Sequence, residues 1–201
     1  THMFVLGDPP NYEQAPERSI AARAQALGCS PEALAYDLML ESEGTGKLYL
    51  AMANFADGKL DALGEMLRHP DVVPGLGDGG AHCATICDGS YSTFTLMHWG
   101  RDRATGRLPL PTLVHGLSRA TALTVGLQDR GLVAPGFKAD LNLIDFERLS
   151  LRPPEISHDL PGGGRRLVQR AEGYVATVVG GRVVYREGAH TGELPGRLVR
   201  A

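Results

Sequence analysis

Between Leu48 and Asp78 the chain runs apolar, then amphipathic, then apolar, and stops at a glycine-rich acidic corner. Leu48 to Phe55 is long enough for a buried strand. Lys59 to Arg68 spaces Leu60, Leu63, Met66 and Leu67 for one helical face, with Asp57 as its cap and His69-Pro70 as its end. Val72-Val73-Pro74-Gly75-Leu76-Gly77 reads as a short buried strand ending at Asp78. Strand, helix, strand is the pattern of a parallel sheet, and it sets an acidic residue at the C-terminal end of a strand, where barrel enzymes keep catalytic groups.

The flanking segments obey similar local rules. Phe4-Val5-Leu6 is a strand that breaks at Gly7-Asp8-Pro9-Pro10, while Thr1-His2-Met3 reads as a remnant without fold information. A helix is expected over Glu17 to Leu27, with Ile20, Ala24 and Leu27 as its stripe and Gly28 as its stop. Ser30 caps a second helix with Pro31 at its first position, and Leu34, Leu38 and either Tyr36 or Leu40 form its buried face. Further helices are expected near 92–101, 110–119 and 121–126. From about residue 130 the character changes to strands: Leu141 to Asp145, then a hairpin from Tyr174 to Tyr185 turning on Gly180-Gly181. Residues 152–170 show no period and read as a loop.

Charge excludes one function class. Lys plus Arg is 20 and Asp plus Glu is 23, giving a net charge of −3, with no basic cluster of the kind nucleic-acid binding needs. No apolar run approaches the roughly 20 residues of a membrane helix, and no signal peptide is evident, so a cytoplasmic protein that binds neither nucleic acid nor membrane is expected.

The chemistry-bearing residues leave alternatives open. Asp78, in Gly77-Asp78-Gly79-Gly80-Ala81-His82, either shuttles a proton beside a metal-bound water or caps a turn. His82 could bind a metal, donate to a substrate carboxylate, or hydrogen-bond within its loop. Cys29, Cys83 and Cys87 make an odd count, which excludes a disulfide framework; Cys83 and Cys87 are buried thiols or, with His82 and His98, a small zinc module. The seven histidines stand at 2, 69, 82, 98, 115, 158 and 190, with no H-x-H and no H-x-x-x-H, so local spacing supplies no zinc centre of about three protein ligands. Arg101-Asp102-Arg103 and Arg165-Arg166 are either carboxylate-binding forks or solvated surface. Arg130, in Asp129-Arg130-Gly131, fixes a turn.

Several of these motifs together resemble the N-acyl-D-amino-acid deacylases of the amidohydrolase superfamily. They are Gly77 to His82, Ile86-Cys87-Asp88, His98-Trp99, Arg101 to Arg103, Gly126 to Gly131, Ala134 to Asn142, His158-Asp159-Leu160-Pro161 with Gly163 to Arg166, and Thr191 to Arg197. The resemblance implies an α/β fold: the C-terminal part of a (β/α)8 barrel over 1–129, with strands 7 and 8 and flanking helices, followed by part of a small β domain over 130–201. It implies a zinc-dependent hydrolase of the amide bond of N-acyl-D-amino acids, with Asp78 as catalytic carboxylate and metal ligand and His82 as a contact for the substrate carboxylate. A dihydroorotase- or hydantoinase-like cyclic amide hydrolase, and a non-catalytic scaffold of barrel descent, are the alternatives. The remaining metal ligands of such enzymes have no counterpart in this sequence. The chain therefore reads as a C-terminal fragment, inactive and zinc-free alone, that self-associates or pairs with a missing N-terminal half.

Overall fold

The computed structural model describes residues 2–55, 58–75, 77 and 82–199. The chain divides into two compact units, 1–69 and 70–201. Among the described residues no helix is long and apolar enough to cross a membrane.

In the first unit, β1 (Met3–Val5) pairs antiparallel with β2 (Leu48–Leu50), placing Phe4 opposite Tyr49. The pairing continues outward through Ala51, whose N–H donates to the His2 carbonyl at 2.9 Å. His2 and Met3 therefore belong to the fold, contrary to the reading of this terminus as a remnant. Helix α1 (Ile20–Leu27) starts at Ser19, whose hydroxyl accepts from the Ala22 N–H, and ends at Gly28 in the left-handed region (φ 69°). Helix α2 (Pro31–Gly44) starts as expected, with the Ser30 hydroxyl accepting from the Ala33 N–H. Ile20, Ala24, Leu34 and Leu38 form the buried cluster between these helices, joined by Met3, Val5, Ala35 and Leu48. Leu27, Tyr36 and Leu40 are exposed, so the stripes are narrower than their spacing implied. Past Leu40 the helix breaks, and Gly46 passes so close to the Leu38 carbonyl that a Cβ would lie 2.0 Å from its oxygen. Helix α3 (Asp61–Arg68) lacks a side-chain cap of its own; the Leu60 N–H at its start donates to Glu13 Oε1 at 3.0 Å. Asp57, the expected cap, lies outside the described residues.

The expected strand at the end of this pattern differs. Residues 72–75 are not in a strand, and Val72 and Val73 are exposed. Among the described residues the partner of β2 is β1, and it is antiparallel. An apolar run becomes a strand only where another strand offers its backbone groups, and none of the described residues does so for 72–75.

In the second unit, α4 (Tyr91–Phe94) continues as a wider π-type helix through Thr95–Asp102. Helix α5 (Leu110–His115) likewise continues through Gly116–Ala120 into α6 (Thr121–Thr124). Trp99, Leu96, Leu108 and Leu113 are buried. Gly100 admits the Phe146 ring, which a Cβ there would approach to 3.2 Å. Four strands, β3 (Leu141–Ile144), β8 (Tyr174–Val179), β9 (Arg182–Arg186) and β10 (Ala189–His190), form an antiparallel sheet in the order β10-β9-β8-β3. Its central hairpin turns at Gly180 and Gly181, both at positive φ (55° and 79°), as the Gly-Gly pair required. β4 (Ser150–Leu151) pairs with β7 (Ala171–Glu172).

Between them, β5 (Glu155–Leu160) and β6 (Gly164–Val168) form a second antiparallel hairpin. This corrects the reading of 152–170 as a loop. The arms show no alternation because neither β5 nor β6 has a fully buried residue, and periodicity is visible only when one face is buried.

Candidate active site

Asp78, Gly79, Gly80 and Ala81 lie outside the described residues, so the acidic corner is bounded by its two shoulders, Gly77 and His82. Gly77 is packed against the turn that begins α4: a Cβ there would sit 2.3 Å from the Asp88 carbonyl oxygen and 2.8 Å from the Tyr91 ring. No side chain other than hydrogen fits there. On the other shoulder His82 has φ +50°, an uncommon conformation for a residue with a Cβ, and is exposed. Its carbonyl accepts from the N–H groups of Thr85 (2.8 Å) and Ile86 (3.0 Å) and from the Thr85 hydroxyl (3.1 Å). The strain is therefore held by three hydrogen bonds to one oxygen.

The segment is braced by the β5–β6 hairpin. The Leu167 N–H donates to the Cys83 carbonyl at 2.7 Å, and the Cys83 thiol lies 3.9 Å from the Arg165 carbonyl oxygen. Farther along, the Ser90 hydroxyl hydrogen-bonds Gln169, whose amide nitrogen donates to the Arg152 carbonyl at 2.9 Å. Thr93 and Tyr174 join by their hydroxyls at 2.8 Å. Residues 82–93 are thus fastened to the strand region by contacts 79 to 84 positions away in sequence, a signal invisible to local patterning.

The other candidates separate. Cys83 and Cys87 are free thiols, partly buried; burial, and secondarily the Asp88 charge, raises the Cys87 thiol above its ordinary value. The His98 ring stacks on Phe94 at 4.6 Å and meets Trp99 edge-on, as packing requires. Among the described residues, no three His, Cys, Asp or Glu side chains gather to hold a metal ion, so His82, Cys83, Cys87 and His98 are not a zinc module. By themselves the described residues do not fit the zinc that the sequence resemblance implies.

Arg101 is a structural clamp. Its guanidinium donates to the carbonyls of Phe146, Glu147 (3.0 Å) and Leu149 (2.7 Å), pairs with Asp102 at 2.6 Å, and lies over the Phe146 ring. Arg103 lies over Trp99 at 4.5 Å. Arg166 grips Asp159 with two bonds of 2.7 Å, and this pairing holds the Asp159 carboxyl down at about 2. Arg130 pairs with Asp140 at 2.9 Å and with Asp129, closing the turn as expected. Arg165 has no such partner among the described residues.

The amidohydrolase family model matches residues 17–185, which include Gly77 to His82 and both strands of the bracing hairpin. A D-aminoacylase of Alcaligenes xylosoxydans xylosoxydans is 28% identical over 166 residues, 82% of this chain and 31% of that protein. A D-aminoacylase mutant in complex with copper chloride superposes with a TM-score of 0.53 at 22% identity, over 100% of this chain and 38% of its own. Another D-aminoacylase, described as defining a novel subset of amidohydrolases, superposes with a TM-score of 0.50 at 22% identity, over 96% of this chain and 36% of its own. These likenesses establish an α/β fold similar to that of D-aminoacylase, and the chain spans about a third of each relative's length. With the family model matched across most of its length, the chain belongs to the amidohydrolase family.

Proposed function

We propose that this chain is the C-terminal part of a metal-dependent amidohydrolase that cleaves the amide bond of N-acyl-D-amino acids. In this reading residues 1–129 complete the barrel and residues 130–201 belong to its small β domain. The observation that carries the reading is the 28% identity to a D-aminoacylase over 82% of the chain, across a segment that includes the braced corner.

Asp78 is assigned proton transfer. Its carboxylate accepts a proton from the water that attacks the acyl carbonyl, and then passes it to the amine nitrogen as the C–N bond breaks. The products are the free carboxylic acid and the D-amino acid. His82, held at positive φ by the three hydrogen bonds its carbonyl accepts, offers its imidazole to the substrate carboxylate. The zinc belongs to the whole protein, and none of the described residues is assigned to it. The isolated chain is accordingly inactive, and it pairs with the rest of the protein or with itself.

The test is an assay of the whole protein against N-acetyl-D-amino acids, their L-enantiomers, and the cyclic amides dihydroorotate and hydantoin. Turnover confined to the D-series, falling by about 10²-fold or more in Asp78→Asn, is the expected result. Turnover of the cyclic amides alone would move the assignment to a dihydroorotase- or hydantoinase-like enzyme. No turnover of any amide would favour a non-catalytic scaffold.

A further inference from the structure

The motif Thr191 to Arg197 has no part in the proposed reaction, and its root is held in a particular way. His190 closes β10, the edge strand of the four-stranded sheet, directly opposite Tyr185 of β9. The two rings meet edge to face, with 5.1 Å between centroids and 73° between planes. The chain then turns at Gly192, which has φ +91°. The N–H of Gly192 donates to Nδ1 of His190 at 3.0 Å.

That bond fixes the state of the ring. A ring nitrogen that accepts carries no proton, so His190 is neutral, with its proton on Nε2. An imidazolium carries protons on both nitrogens and accepts nothing. Protonation at Nδ1 therefore sets one N–H against another, and the bond to Gly192 is lost. The remaining ties of this root involve no imidazole. Thr191 donates its N–H to the Val184 carbonyl at 3.0 Å and its hydroxyl to the Val183 carbonyl at 2.7 Å. The Glu193 N–H donates to the Thr191 hydroxyl at 3.4 Å, and the Glu193 carboxylate pairs with Arg182 at 2.8 Å. β9 is the strand paired with β10; its titratable and charged side chains are Arg182, Tyr185 and Arg186, and Glu187 lies in the turn between the two strands.

We propose that His190 is a pH-sensitive latch on the C-terminal segment: the neutral ring holds the turn at Gly192, and uptake of one proton at Nδ1 opens it. Imidazole is the side chain that gains charge as pH falls through the range from about 8 to about 5. Leu194 and Leu198, 85 and 79% exposed, follow this turn, so the latch sets how they are presented. The latch uses none of the residues assigned to the reaction and goes beyond that reading.

The experiment follows the whole protein by NMR, with 15N in glycine, threonine and histidine, between about pH 7.5 and about pH 5.5. Water exchange at the Gly192 amide is compared with that of an unstructured chain at the same pH. Its protection should fall by about 3- to 10-fold on acidification, the loss of one hydrogen bond, while the Thr191 amide keeps its own. The ring nitrogens should report the Nε2–H form at the upper pH and the doubly protonated ring at the lower. His190→Asn supplies an oxygen that accepts from the N–H two residues on and does not titrate, so its Gly192 protection should stay constant with pH. His190→Ala should lack that protection at both ends. His190 is exposed at a strand end, so neither variant should disturb the sheet. Constant protection of Gly192 in the wild type, an Nδ1–H ring at the upper pH, or an equal fall in His190→Asn overturns the proposal. A parallel loss at Thr191 would mean general loosening, and overturns it as well.

Discussion

The backbone N–H of Leu167 donates to the backbone carbonyl of Cys83 at 2.7 Å. Through this bond a hairpin from the C-terminal third of the chain holds the shoulder of the acidic corner. Leu167→Pro removes the donor while leaving β6 extended, since the residue before a proline favours the β region it already occupies. The variant should lose about 1–3 kcal/mol through the orphaned carbonyl. Amide exchange at Thr85 and Ile86 should accelerate, with the β8–β9 hairpin unchanged. Unaltered exchange at those two amides would show that the hairpin does not brace the corner.

Gly77→Ala tests the other shoulder. Its Cβ would meet the Asp88 carbonyl oxygen at 2.3 Å, and backbone cannot move aside cheaply. A loss of about 1–3 kcal/mol is expected, as for overpacking elsewhere. Gly75→Ala, where nothing lies within 4 Å, is the control and should stay within about 0.5 kcal/mol. Denaturant melts of the two variants separate local crowding from any general effect of replacing glycine.

Arg101→Ala should be among the more damaging single changes in the 70–201 unit. It withdraws a charged donor from the carbonyls of Phe146, Glu147 and Leu149, and Leu149 is fully buried. About 2–4 kcal/mol is expected, with Arg101→Lys recovering only part, because an ammonium cannot span three acceptors. Full recovery in Arg101→Lys would mean that charge alone matters at this position.

Acid titration should find the β5–β6 hairpin resistant. The Asp159 carboxyl is lowered from 3.8 to about 2, first by its hydrogen bonds to Arg166 and then by the Arg166 charge. A depressed native value stabilises the fold at pH above the unfolded value, and that contribution fades as pH falls from about 4 toward 2. Carboxylate resonances followed by NMR should show Asp159 protonating near pH 2 in the wild type and near its ordinary value in Arg166→Ala. A wild-type midpoint close to 4 would contradict the pairing.

The isolated 21.5 kDa chain should self-associate. Met52, Val133, Leu194 and Leu198 are each about four-fifths exposed or more (80, 87, 85 and 79%). β1–β2 is a two-stranded ribbon with no third strand among the described residues, and such edges invite another chain. Sedimentation velocity should report species larger than one chain; a single sharp monomer would refute this expectation.

The parts of this protein that local chemistry governs are legible without coordinates. Ser30 and Pro31 start a helix, Gly28 ends one, and Gly180-Gly181 turns a hairpin, because each decision is made by hydrogen bonds and φ angles within a few residues. The helices over 91–102 and 110–124 fall on the stretches expected to be helical near 92–101, 110–119 and 121–126. Three features were open to tertiary structure alone: the pairing of Met3–Val5 with Leu48–Leu50, the β5–β6 hairpin, and the roles of Arg101 as a clamp and Arg166 as half of an ion pair. Arg165 and Arg166 are adjacent and chemically identical, and what separates them is that Asp159 stands across the hairpin from only one of them. Pairing between distant backbones depends on which partner arrives, and a side chain's role depends on which charge or carbonyl that arrival sets beside it.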